Sequence, residues 1–153
     1  MPANFEKVHS FTRLAGADYS ASPPSGGQYR FAALNPNPVN SYTNPDNPGL
    51  WYGSAAGPPP IPAGNVLVNT TAGADCDFVL MGKALPGQPI ECGYSGRLLI
   101  LCGATINVGQ AVMSDNQGRA VPWTSGNHIL GDAFEAGVAG DQISINFVRR
   151  GEA

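Results

Sequence analysis

From residue 63 onward the chain consists of short apolar runs separated by Gly, Asp and Asn. The runs fall at 65–70, 77–84, 88–94, 97–102, 109–114, 118–123, 127–135 and 141–149. Short runs at this even spacing predict an all-β fold, a small β-barrel or sandwich of about eight short strands. "DQISINFV" (141–148) alternates cleanly, with Ile143, Ile145 and Phe147 on one face and Gln142, Ser144 and Asn146 on the other. That is the pattern of a half-buried strand. "RLLILC" (97–102) is apolar on both faces and predicts a central strand. "VGQAVMSDNQGRAVPW" (108–123) predicts a hairpin that turns at residues 114–118 and returns to Trp123.

The N-terminal part has a different character. Eleven of the 14 prolines lie in residues 1–62. Proline fixes φ and lacks an amide hydrogen, so "ALNPNPVNSYTNPDNPGLWYGSAAGPPPIP" (33–62) is excluded from helix interiors and central strands. Phe31, Leu34, Val39, Tyr42, Leu50, Trp51 and Tyr52 punctuate this region. Leaving them all in water would forgo about 25 cal/mol per Å² of apolar surface. The expectation is an extended Pro-rich arm over 1–62 that lies along a surface, followed by a compact β-domain over 63–153. Within the arm, "PANFEKVHSFTRLA" (2–15) spaces Phe5 and Val8, and Phe11 and Leu14, at i,i+3, which predicts a short helical turn.

Charge narrows the function classes. Only 12% of residues are charged, the net charge is −3, and Lys and Arg form no block. The electrostatic footprint of a nucleic-acid binder is missing. A hydrophobic share of 42% is too high for a disordered chain. No apolar run approaches the roughly 18 residues that span a bilayer as a helix. Met1–Glu6 lacks the basic-then-apolar order of a signal peptide, so synthesis in a cytosol is expected. Cys76, Cys92 and Cys102 are odd in number and lack CxxC spacing, and they read as small buried apolar residues.

Candidate chemistry is sparse. His9 and His128 lie far apart, and no metal-ligand spacing surrounds either. "DCD" (75–77) puts Asp75 and Asp77 on one face of a strand. This is the pattern of edge charges that discourage sheet association, with cation binding as the alternative. "GYSGR" (93–97) departs from a GxSxG nucleophile elbow by one place and precedes no helix, so a tight hairpin turn is expected there. Trp51, Tyr52 and Trp123 offer a sugar platform only if they share an exposed face. The plainer reading has Trp123 capping the barrel and the other two anchoring the arm. No catalytic residue, metal site or cofactor site is expected, and the chain does not read as an enzyme.

Residues 96–149 run through a turn glycine, an apolar strand, "VG" before "QAV", an Asp/Asn/Gly turn, a second strand, "ILGDAFEA", "AGD" and a terminal alternating strand. In that order the chain resembles the small capsid decoration, or cement, proteins of tailed bacteriophages. The resemblance implies that Val108–Gly109 open the hairpin and that Asp115 to Gly118 turn it. It implies a core strand over 129–133, where Gly131 allows close backbone approach or a bulge, and a last turn at Gly140. It also implies no cofactor, a position on the outer surface of the virion head, the major capsid protein as partner, and self-association with trimers favoured over dimers.

The long Pro-rich segment departs from the short members of that family. As an arm across neighbouring capsid subunits, it would use Phe31, Tyr42, Leu50, Trp51 and Tyr52 as contacts. The alternative for each is packing on its own β-domain. Deleting residues 1–60 should then leave a folded domain that no longer binds heads. A second reading, of a different class, is a carbohydrate- or host-surface-binding β-module built on an aromatic patch and the "DCD" carboxylates.

Overall fold

The computed structural model describes residues 9–40 and 60–152. Among these residues the protein is all-β. Its nine strands are β1 (His9–Leu14), β2 (Phe31–Asn35), β3 (Asn65–Val68), β4 (Phe78–Leu80), β5 (Pro89–Leu101), β6 (Ala111–Ser114), β7 (Ala120–Pro122), β8 (His128–Ala133) and β9 (Gln142–Glu152). They form one sheet in the order β3-β2-β4-β5-β9-β8-β6-β7, with β1 also paired to β5. Every ladder is antiparallel.

The sheet curls at both ends. Ala15, just past β1, bridges to Val66 of β3, and the Gly16 amide donates to the Val66 carbonyl at 2.9 Å. Cys102, just past β5, bridges to Ala120 of β7, and the Gly103 amide donates to Ala120 at 2.8 Å. These single bridges cover backbone that an open sheet would leave as unpaired edge.

Two hydrophobic cores result. The larger gathers Leu98, Ile100, Val112, Leu130, Ile143, Ile145 and Phe147. The smaller gathers Ala15, Tyr19, Val66, Leu80, Ile90 and Cys92. β2 and β4 form the wall between them. Phe31 and Val79 point into the larger core, and Ala32, Phe78 and Leu80 into the smaller. Buried on both faces, β4 therefore reads as an unbroken apolar triplet, FVL.

β5 crosses from one core to the other. Its first part pairs with β1 and β4, and its second part with β9. The change comes at Gly96, whose φ of +91° is one that L side chains rarely adopt. The hairpin turn expected at "GYSGR" is instead the interior of this 13-residue strand. The glycine that signalled a turn bends the strand without ending it.

The N-terminal expectation also changes. Residues 9–14 are a strand, with Phe11 opposite Cys92 and Arg13 opposite Ile90, and the helical spacing there is accidental. β1 and β2 belong to the same sheet as the strands after residue 62, so a boundary at 62 does not separate arm from domain. Phe31, expected as a partner contact, is fully buried beside Phe147, with ring centroids 6.1 Å apart. A chain that starts after residue 60 lacks Phe31, Ala32, Ala15 and Tyr19 from its cores. It is expected to lose its cooperative thermal transition, followed by circular dichroism.

Elsewhere the strand pattern holds. Ile143, Ile145 and Phe147 are buried and Gln142 faces out, but Ser144, expected on the outer face, is also buried, where its hydroxyl accepts from Arg97 and donates to Glu135. The three cysteines are buried free thiols. In β8 the register shifts between Ile129 and Gly131, and a Cβ on Gly131 would lie 2.2 Å from the Asn146 carbonyl oxygen. Gly131→Ala must therefore push β8 off β9. The expected loss is about 1–3 kcal/mol, the range of core overpacking. It should be measurable as a fall in Tm of roughly 2–4 °C per kcal/mol.

Candidate interaction surface

Two surface features stand out. The first is the base of the segment that leaves the sheet after β2 and returns before β3. Val39 and Ile61 exchange both backbone hydrogen bonds at 2.9 Å, so residues 40–60 leave and re-enter at one point. Asn65, 1% exposed, locks this base. Its Nδ2 donates to the carbonyls of Asn37 (3.1 Å) and Pro62 (2.8 Å), and its Oδ1 accepts from Asn35 Nδ2 (3.1 Å). A buried amide with these bonds made is a satisfied polar group that fixes the chain path. Of the expected partner contacts, Tyr42, Leu50, Trp51 and Tyr52 lie outside the described residues. The segment that carries them is thus tied to the sheet at both ends.

The second feature is a groove of about 410 Å³ lined by Phe11, Leu34, Asp77, Phe78, Tyr94 and Arg149. It collects residues from β1, β2, the start of β4, β5 and β9. Phe11 meets Phe78 edge-on at 4.9 Å and lies 5.5 Å from Tyr94, and His9 lies 5.7 Å from Tyr94. Arg13 covers the Phe11 ring at 5.2 Å. Tyr94 remains 43% exposed. The aromatic row arises where the β1–β5 register shifts: His9 lies opposite Ser95, Ser10 opposite Gly93 and Phe11 opposite Cys92, which leaves Tyr94 as the extra residue between them.

The "DCD" carboxylates flank this groove, and both bind Arg149. Arg149 Nε and Nη2 donate to Asp75 at 3.0 and 2.5 Å, and Nη1 lies 3.3 Å from Asp77 Oδ1. Asp77 Oδ2 also accepts the Leu34 amide at 3.2 Å. The two aspartates thus fasten β9 to the β4 entry, a role different from the edge charges expected. Hydrogen bonds from Arg149 hold the Asp75 carboxyl below its ordinary range. Between them Cys76 is pushed up to about 12 by burial, and burial likewise lifts Cys92 and Cys102 to about 11. These thiols stay protonated at neutral pH, which makes them poor nucleophiles and metal ligands.

The hairpin at 111–122 serves architecture. Asp115 Oδ1 accepts the amides of Gln117 and Arg119 at 2.8 Å each, and Oδ2 accepts Arg119 Nε at 2.8 Å. The tip docks on β2, where the Phe31 amide donates to Gly118 at 2.7 Å. Gly109, Gly118 and Gly140 have φ of +79°, +74° and +93°, the left-handed turn conformation. Arg30 staples the tip, donating to the carbonyls of Gly26 (2.7 Å), Gln117 (2.6 Å) and Pro24 (2.5 Å). Trp123 donates from Nε1 to Asn127 at 2.8 Å and sits half-buried in its loop.

Among the described residues no group of three His, Cys, Asp or Glu is arranged to hold a metal. Sequence reasoning named the "DCD" pair but missed Phe11, Tyr94 and Arg149 as its neighbours. Only the strand pairing brings them together. The one signal available was the need of two adjacent carboxylates for a cation, and Arg149 is close to the far end of the chain.

The Asp75–Arg149 contact predicts acid sensitivity. A carboxyl whose folded-state pKa is depressed contributes stability that is present above its unfolded pKa and lost as pH falls through the folded one. Lowering pH from 7 toward 3 should therefore lower Tm. Asp75→Asn should flatten that fall while lowering Tm at pH 7, both measured by differential scanning calorimetry.

No protein-family model matches this chain, and no curated protein matches it in sequence. In structure it is similar to the N base of the head fiber gp8.5 of bacteriophage phi29. The TM-score is 0.61 over 96% of this chain and 98% of that chain, at 16% sequence identity. The chain therefore shares its all-β fold with that head-fiber base.

Proposed function

We propose that this chain is a structural protein of a tailed-phage virion, seated on the outer surface of the head, with no enzymatic role. The observation that carries this reading is the shared fold with a head-fiber base over nearly the full length of both chains. The order of turns and strands in residues 96–149, which resembles capsid decoration proteins, points the same way. In finer detail, the chain acts as a decoration protein that binds the major capsid protein and stabilises the expanded shell.

The mechanism is linkage. A protein that binds the assembled lattice better than free subunits stabilises the lattice by RT ln(1 + [L]/Kd) per site. Repetition over many sites, and self-association into trimers that match threefold positions, multiply the effect through avidity. The surface is low in charge, so its contacts tolerate salt. The contacts assigned to the capsid are Tyr42, Leu50, Trp51 and Tyr52, carried on a segment whose two ends the Val39–Ile61 bridge holds together. Fixing both ends lowers the ordering cost on docking relative to a free terminal arm. Phe31 has no part in this, because it is core.

The test is co-sedimentation with undecorated expanded heads and, in parallel, with unassembled capsid subunits. Saturable binding to heads alone, and heads that survive higher temperature, are the expected results. Replacing residues 41–59 with a short Gly-Ser link should preserve the fold, because the bridge at 39 and 61 remains, and should abolish head binding. Normal decoration by that variant would remove the segment from the interface.

A further inference from the structure

The groove between β1, β4, β5 and β9 has a use that head binding does not require. We propose that it is a binding site for a neutral sugar, a pyranose ring stacked on Tyr94 and hydrogen-bonded by Asp77 and Arg149. Tyr94 is 43% exposed, and its ring has His9 at 5.7 Å and Phe11 at 5.5 Å as neighbours, both tilted against it. A platform fixed by its neighbours loses little freedom when a ligand settles on it. The groove's size of about 410 Å³ lies in the range of small-molecule sites, and its lining pairs aromatic walls with a few polar groups.

Those polar groups retain bonding capacity. Asp77 uses one contact on each carboxylate oxygen, to the Leu34 amide and to Arg149. Each oxygen accepts two hydrogen bonds, so one position stays open on each. Of the five N–H groups on Arg149, three are directed at Asp75 and Asp77. Among the described residues the remaining two have no partner. An acceptor beside a donor matches a pair of adjacent hydroxyls.

Other ligand classes fit less well. A peptide added as a strand needs an unpaired backbone edge; β4 and β5, which carry Phe78 and Tyr94, already pair on both sides, so such a strand is confined to the outer edge of β1 or to β9 beyond Phe147. A strongly charged ligand meets a balanced field, with Asp75 and Asp77 opposed by Arg149 and Arg13. A wholly apolar partner would desolvate Asp77 and Arg149 without replacing their hydrogen bonds to water. A ring with an apolar face and a hydroxyl rim satisfies all three conditions. The aromatic residue that carries the contact is Tyr94, in place of the tryptophans that the sequence offered.

The experiment titrates the full chain with three probes: tetramers of β-1,4-glucose, of α-1,6-mannose and of β-1,4-N-acetylglucosamine. Calorimetry and amide chemical shifts are the readouts. With one stacking face and a few hydrogen bonds, the expected Kd for the matching probe is on the order of 1 mM. The shifted amides should cluster at Phe11, Asp77, Tyr94 and Arg149. Tyr94→Ala should weaken binding by at least about tenfold. Tyr94→Phe, which keeps the ring, should bind nearly as the parent does, and Asp77→Asn should weaken binding. Head co-sedimentation should be unchanged in Tyr94→Ala, which separates this site from the capsid contact. No saturable binding by any probe at about 10 mM overturns the proposal, since a 1 mM site would then be nearly filled. Shifts that fall outside the groove overturn it equally, as do shifts that grow with protein concentration alone. The last result would make the groove a contact between copies.

Discussion

The fold depends on β5 serving two cores at once. Ile90 and Cys92 face the smaller core, and Leu98 and Ile100 the larger. All four belong to one alternating set, so a straight strand would aim them at a single core. The glycine at 96, with its positive φ, lets the strand re-aim its faces part-way along. On one side of that point the strand pairs with β1 and β4, and on the other with β9. Everything else is arranged around that crossing: β2 and β4 as a wall with apolar residues on both faces, and the single bridges that curl each half back on itself.

This arrangement explains why residues before the Pro-rich segment belong to the β-domain. The larger core is closed on one side by Phe31 against Phe147, residues from opposite ends of the chain. The smaller core is closed by Ala15 and Tyr19, and the Tyr19 hydroxyl accepts the Val68 amide at 2.9 Å. Burial raises the pKa of that phenol above its ordinary value. The Pro-rich stretch is then an excursion between two paired strands, β2 and β3. Among the described residues of this stretch, Pro36, Pro38, Pro60 and Pro62 lie outside β2 and β3, consistent with their inability to donate to a ladder.

The surface groove is a by-product of the same topology. Its residues come from five places in the sequence, and the paired strands bring them within contact. The Asp75–Arg149–Asp77 contact ties the C-terminal strand to the entry of β4 and sets a polar rim beside an aromatic row. One ion pair therefore contributes to both the closure of the fold and the chemistry of the groove.

By itself the sequence determined the all-β class, most strand positions after residue 63, the inward face of β9 and the burial of three cysteines. Period-two patterning and turn residues are local signals, and each strand carries its own. The resemblance to capsid decoration proteins also pointed to Gly131 as a place of close backbone approach or a bulge, and the register shift in β8 falls there. The sequence did not determine that "GYSGR" continues a strand, because a bending glycine and a turning glycine look alike until the partner strands are known. The same limit hid β1, where helical spacing over a few residues competes with a pairing to β5 some 80 positions away. Only the tertiary structure decided that Phe31 is core, that the arm is an excursion with a closed base, and that Tyr94 stands beside Asp77. Each of those facts is a contact between residues far apart in the chain, and long-range contacts leave no local trace in composition or period.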